Sequence, residues 1–206
     1  MAEMRNLLTD PWPNGTAGWD IISGTTGSVE FRMCNDARSF LLKRLTASPA
    51  DIMISRTLTG LKAGTYVAAL QFLDYYESVA DNGAVLLARQ LGGTTNYGRI
   101  TAKQKPACLY TQFALPADGG LRIVLQPPAA VNAYYAVDKL LLMTQEDWDT
   151  MRNLKNSDGS TANIRWFAPP KTAAAGVMST PALDRGVGCS PSTARRYPHI
   201  DVEVAA

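Results

Sequence analysis

Between residues 51 and 143, apolar side chains recur at every second position, the mark of strands with one face in a core and the other outside. Ile52, Ile54 and Leu58 alternate with Met53, Ser55 and Thr57, the turn Gly60-Leu61-Lys62-Ala63-Gly64 follows, and Tyr66, Ala68, Leu70 and Phe72 resume on a single face. This stretch reads as two adjacent strands. A run over 85–91 ends at Gly92-Gly93, and Leu109, Phe113 and Leu115 face opposite to Tyr110, Gln112 and Ala114. After the turn Pro116-Ala117-Asp118-Gly119-Gly120, Leu121, Ile123 and Leu125 alternate with Arg122, Val124 and Gln126 until Pro127-Pro128 removes two ladder donors. The last strand covers 134–143. With little helical periodicity in between, the pattern predicts an all-β antiparallel sandwich rather than a parallel α/β sheet.

The 206 residues, 46% of them apolar, suffice for one well-filled domain and an appendage, which excludes a disulfide-stapled miniprotein. A formal charge of +2 and the lack of any apolar run near the roughly 20 residues of a membrane span argue against nucleic-acid and membrane roles. One histidine, His199, and three cysteines, Cys34, Cys108 and Cys189, supply little for metal or base chemistry, and the cysteines read as free thiols. The first residues lack the apolar core of a signal peptide, so synthesis in the cytoplasm is expected.

Thr144 can cap a helix whose first turn holds Glu146 and Asp147, with Trp148, Met151 and Leu154 along one side, ending near Asn156-Ser157-Asp158-Gly159. So short a helix must rest its Trp148 face on the sandwich or on another chain. Beyond it the chain is rich in Pro, Ala, Gly, Ser and Thr and supplies no core of its own. The division predicted is a sandwich over 1–143, a helix over 144–156 and an extended arm over 157–206. The arm is expected to lie against neighbouring subunits or its own sandwich, with Trp166, Phe167, Tyr197 and Ile200 as anchors. Lys171, Arg185, Arg195 and Arg196 make it basic, which suits docking on an acidic partner better than contact with DNA.

Asn6-Leu7-Leu8-Thr9-Asp10-Pro11 followed by Gly18-Trp19 resembles the "N-L-L-x-N-P … G-W" opening of galactose-binding-like jelly-roll domains, the fold of many carbohydrate-binding modules. Leu58-Thr59-Gly60-Leu61-Lys62-Ala63-Gly64-Thr65-Tyr66 and Tyr134-Tyr135-Ala136-Val137-Asp138-Lys139-Leu140 are similar to that family's internal hairpin and closing strand. The resemblance implies that Trp19 covers one end of the core. Thr144-Gln145-Glu146-Asp147-Trp148, with Trp166-Phe167 later, resembles a segment of small virion proteins of tailed bacteriophages, minor tail proteins above all. What this implies is a non-enzymatic structural component of the virion, made in the host cytoplasm, whose partners are other virion proteins, copies of itself and a host-surface glycan. A head decoration or head–tail connector protein, or a free-standing glycan-binding module, are the alternatives.

Sugar binding calls for aromatic platforms and planar hydrogen-bonding groups, for which Trp12, Trp19, Tyr75, Tyr76, Tyr97, Gln71 and Arg89 are candidates. Trp19 reads first as core, and the Tyr75-Tyr76 pair suits ligand or subunit contact equally. Asp138 matches a family position that often contributes to structural calcium, with Asp10 and Asp20 as the carboxylates nearest by that mapping; a hydrogen bond in a turn is the simpler role. No catalytic motif is present: Asp74, Glu77 and Asp81 read as solvated loop acids, and neither G-x-S-x-G nor H-E-x-x-H occurs. No cofactor is expected beyond that calcium.

Overall fold

Strand periodicity becomes layered structure in the computed structural model, which describes residues 4–8, 18–33, 39–76, 83–102, 107–155, 159–160, 176–178 and 202–204. The elements are β1 (Met4–Asn6), β2 (Asp20–Ser23), β3 (Val29–Met33), β4 (Phe40–Arg44), β5 (Met53–Leu61), β6 (Gly64–Tyr76), β7 (Ala84–Gln90), β8 (Asn96–Thr101), β9 (Ala107–Leu115), β10 (Gly119–Leu125), β11 (Tyr134–Thr144), α1 (Gln145–Asn153), β12 (Gly176–Met178) and β13 (Val202–Val204). One sheet runs β2-β5-β10-β7-β8 and the other β13-β9-β6-β11-β4-β3. All pairings in them are antiparallel except β13 on β9. From β4 to β11 the chain passes repeatedly from one sheet to the other, and the result is a jelly-roll β-sandwich.

This corrects the reading of 52–72 as adjacent strands. β5 pairs with β2 and β10, whereas β6 pairs with β9 and β11 in the opposite sheet. The turn at Lys62-Ala63 is a corner between layers, and the one at 116–118 does the same for β9 and β10. At these corners Asp118 accepts from the Ala63 amide at 2.8 Å and from Lys62 Nζ at 2.7 Å, which holds its carboxyl below the usual range.

The core fills the space between the sheets. Ile54, Leu121, Ile123, Leu125, Leu86, Ala88 and Ile100 enter it from one layer, and Ala68, Leu70, Phe72, Leu109, Phe113, Tyr135, Val137 and Leu142 from the other. Each large apolar side chain so removed from water stabilises the fold by about 1.5–3 kcal/mol. Trp19 closes one end, its ring 5.6 Å from Phe40 and 6.2 Å from Phe31, and Leu8 is buried with it. Tyr135 meets Phe72 edge-on at 5.3 Å; its hydroxyl is buried without a hydrogen-bond partner, and burial pushes its pKa up to about 12.

β11 is interrupted by a register shift between Asp138 and Leu141, with Lys139 at φ 51°, and such a bulge leaves ladder groups without partners. The fully buried Asn6 mends the break. Its Nδ2 donates to Leu140 O at 3.3 Å, and its Oδ1 accepts from Leu142 N at 3.1 Å and Leu8 N at 3.2 Å. Leu7 N then donates to Leu142 O at 2.7 Å, laying the N-terminal segment along the strand.

α1 begins and ends close to where its sequence places it. Thr144 Oγ1 accepts from Asp147 N at 3.1 Å as the N-cap, and Trp148 and Met151 are buried. The residues 157–158, 161–175, 179–201 and 205–206 of the arm lie outside the described set. Its described strands, β12 and β13, pair with β1 and along the edge of β9.

Candidate binding face

The outer face of the five-stranded sheet is set by what its inner face buries. On β10, Leu121, Ile123 and Leu125 point into the core, so Arg122 and Val124 point out; on β7, Leu86 and Ala88 point in, so Leu87 and Arg89 point out. Register places Arg122 directly opposite Arg89, and Val124 opposite Leu87. On the flanking strands, Thr57 lies opposite Arg122, Ser55 opposite Val124 and Arg99 opposite Leu87. Asp20, opposite Ser55, is the acidic residue of this face among the described residues and sits on the far edge strand.

Met53, Leu87 and Val124 form a small apolar cluster on this face. Arg89 lies over it: Nη1 is 2.9 Å from Met53 Sδ and Nε donates to Gly93 O at 3.3 Å. Arg122 is half-buried, its Nε wholly so and, among the described residues, without a hydrogen-bond partner. Among the described residues, neither Arg89 nor Arg122 has a carboxylate partner. Like charges directly opposite on neighbouring strands oppose folding.

A buried arginine elsewhere shows the contrast. Arg44 donates to the carbonyls of Pro128 at 2.7 Å, Thr46 at 3.2 Å, Pro49 at 2.9 Å and Ala50 at 2.7 Å, so its guanidinium is satisfied by backbone and clamps the 46–50 segment; burial lowers its pKa.

Of the residues singled out for sugar, Arg89 and Gln71 lie on different sheets. Arg89 occupies the outer face of the five-stranded sheet, whereas Gln71 lies in the six-stranded sheet between Asp138 and Cys108 in register. Gln71 is 2% exposed with its Nε2 unpartnered, so it presents no open hydrogen-bonding group. Tyr97 is half-buried against the core beside the register shift of β7 and β8. Tyr75 and Tyr76 pair with Tyr135 and Tyr134 through their backbones; their side chains, and that of Asp74, are outside the described set. Trp12, Asp10, Glu77, Asp81, Trp166, Phe167, Lys171, Arg185, Arg195, Arg196, Tyr197, His199, Ile200, Cys34 and Cys189 also lie outside it. Cys108 is half-buried and in no disulfide among the described residues.

Of the two supports expected for Trp148, its own sandwich provides one: it is buried with Met151 on Val67, Ala69, Leu141 and Met143 of the six-stranded sheet, 5.1 Å from the Tyr110 ring, which leaves little of it for the partner docking also considered for it. Asp138 is 7% exposed and its Oδ1 accepts from Lys139 N. Asp20 is on the opposite sheet, and no cluster of three or more His, Cys, Asp or Glu occurs among the described residues. A hard cation wants several oxygens, and Asp10, named with Asp138 for that role, lies outside the described residues. No helix among the described residues is long and apolar enough to cross a membrane.

Arg122 and Arg99, which share this face with Arg89, were not singled out in the sequence. The signal for Arg122 was its outward place between Leu121 and Ile123, but nothing local could reveal that it faces Arg89.

No protein-family model matches the chain, and no curated protein matches it. Similar solved structures include the CBM22-1 xylan-binding domain from Paenibacillus barcinonensis Xyn10C, at 14% identity and TM-score 0.47, covering 69% of this chain and 92% of that one. A carbohydrate-binding module from Cellvibrio mixtus lichenase 5A, in complex with cellotriose, is 10% identical at TM-score 0.38, covering 70% and 97%. The enzymatically active domain of bacteriophage CBA120 tailspike protein 4 is 9% identical at TM-score 0.45, covering 68% of this chain and 21% of that one. Likenesses this distant bear on fold alone, and the jelly-roll assignment stands on the strand order and register of the chain itself.

Proposed function

We propose that the chain is a non-enzymatic binding and assembly module: a structural component of a phage particle, of minor tail type, whose jelly roll meets neighbouring subunits or a host-surface glycan and whose segment 157–206 fastens it in place. The observation that carries this reading is the asymmetry of the sandwich. One outer face has its apolar patch covered by the chain's own helix, and the other displays arginines and no described helix, as suits a one-sided binder. The virion half of the reading is supported by the resemblance of Thr144-Gln145-Glu146-Asp147-Trp148 and Trp166-Phe167 to virion proteins, and by an arm too poor in apolar residues to form a core.

Truncation after Gly159 tests it. The full chain is expected to co-purify with assembled particles and the truncated chain to remain in the unassembled fraction, while both melt cooperatively. Full incorporation of the truncated chain, or absence of the full chain from particles, overturns the proposal.

A further inference from the structure

We infer that the outer face of the five-stranded sheet recognises an acidic glycan through the opposed pair Arg122 and Arg89, with Arg99 on the next strand. The inference rests on the glycan-contact side of the reading above and specifies its ligand as a carboxylate-bearing polysaccharide.

The case starts from a cost. Antiparallel register puts Arg122 and Arg89 side by side, where two cations repel, and among the described residues no carboxylate offsets them. Arg89 lies over a cluster of only three apolar residues, Met53, Leu87 and Val124, and Arg122 projects from the same face beside it. Covering that cluster calls for a long aliphatic stem, not for a second charge. Arg122 also keeps a buried Nε without an acceptor. That atom is covered, so an anion would be met by the rest of the guanidinium.

An anion would supply what is missing. The guanidinium fork matches a carboxylate in two parallel hydrogen bonds, and one carboxylate between the two cations turns repulsion into attraction on both sides. Arg99, exposed and diagonal to Arg89 across one strand, is placed for a second charge along the same polymer. Thr57, exposed, stands beside Arg122 in register, with a hydroxyl of the kind that pairs with sugar hydroxyls. Duplex nucleic acid fits less well. It is held by many phosphate contacts over a wide basic surface, whereas this face offers three cations in adjacent strands and Asp20 at its margin.

The experiment measures binding of the full chain to polygalacturonate, to its methyl-esterified form and to a thymidine oligonucleotide. Expected are binding to polygalacturonate that weakens with added salt, none to the ester, and affinity about tenfold lower for each of Arg122→Gln and Arg89→Gln. Arg122→Lys, which keeps the charge and loses the fork, should fall between. Melting temperatures separate loss of fold from loss of site, and each variant is expected to melt no lower than the parent. Equal binding to the ester overturns the anionic ligand while leaving glycan contact standing. Binding to the oligonucleotide alone, unchanged affinity in Arg122→Gln with Arg89→Gln, or no binding to any probe overturns the inference, and particle incorporation then decides the assembly reading independently.

Discussion

The two outer faces of the sandwich solve the same problem in different ways. Each sheet carries apolar residues on the side away from the core. Over Val67, Ala69, Leu141 and Met143, the chain lays α1 and buries Trp148 and Met151. Over Met53, Leu87 and Val124, it extends arginine side chains instead. The difference teaches what each face is for. A helix seals a surface permanently, with aromatic burial and a capped terminus; arginine stems shield a small apolar patch while leaving their charged ends able to meet something else.

The largest expected effect tests the seal. Trp148→Ala should cost about 3–5 kcal/mol in urea unfolding, because it empties the contact between helix and sheet. Leu87→Ala should cost less, about 2 kcal/mol, since its cluster is small and the arginine stems above can settle. If Leu87→Ala proved as costly as Trp148→Ala, the arginine face would be a structural layer as firm as the other, and the comparison would break. Thr144→Ala, which removes the cap that accepts from Asp147 N, should cost about 1 kcal/mol by the same measurement and sharpen how much the seal owes to the helix terminus.

The smallest effect is one of pH. Burial raises the pKa of Asp147, against the opposing hydrogen bonds from Arg5 N and Thr144. The folded state therefore holds the Asp147 proton more tightly than the unfolded chain. This contribution is fully present below the unfolded value of 3.8 and is lost as pH rises through the raised folded value. The difference in stability between the parent and Asp147→Asn, followed by thermal melting from neutral pH down to this range, should shift in favour of the parent as pH falls; a shift the other way refutes the assignment.

Much of the fold was legible in the residues. Alternation at Ile52 and Ile54, at Leu121, Ile123 and Leu125, and over 66–72 identified the inward side chains, and Thr144 with Glu146 and Asp147 located the helix start. The candidate site was far less so. Arg89 was noticed for its side chain, but Gln71, chosen with it, belongs to the other sheet and is covered. Asn6, noticed only as part of an opening motif, turned out to satisfy three backbone groups of the β11 bulge and its approach. No local pattern marks a bulge that lies on a distant strand.

Local sequence by itself determined which side of each strand is buried, where strands stop and where α1 begins, because period, turn chemistry and capping act over a few residues. Only the tertiary structure decided which strands are neighbours: that β5 and β6 part company at Lys62-Ala63, and that Arg122 faces Arg89. Those choices depend on pairing between segments remote in the chain. Period two is the same for every such pairing, so it reports the face of a strand and is silent about its partner.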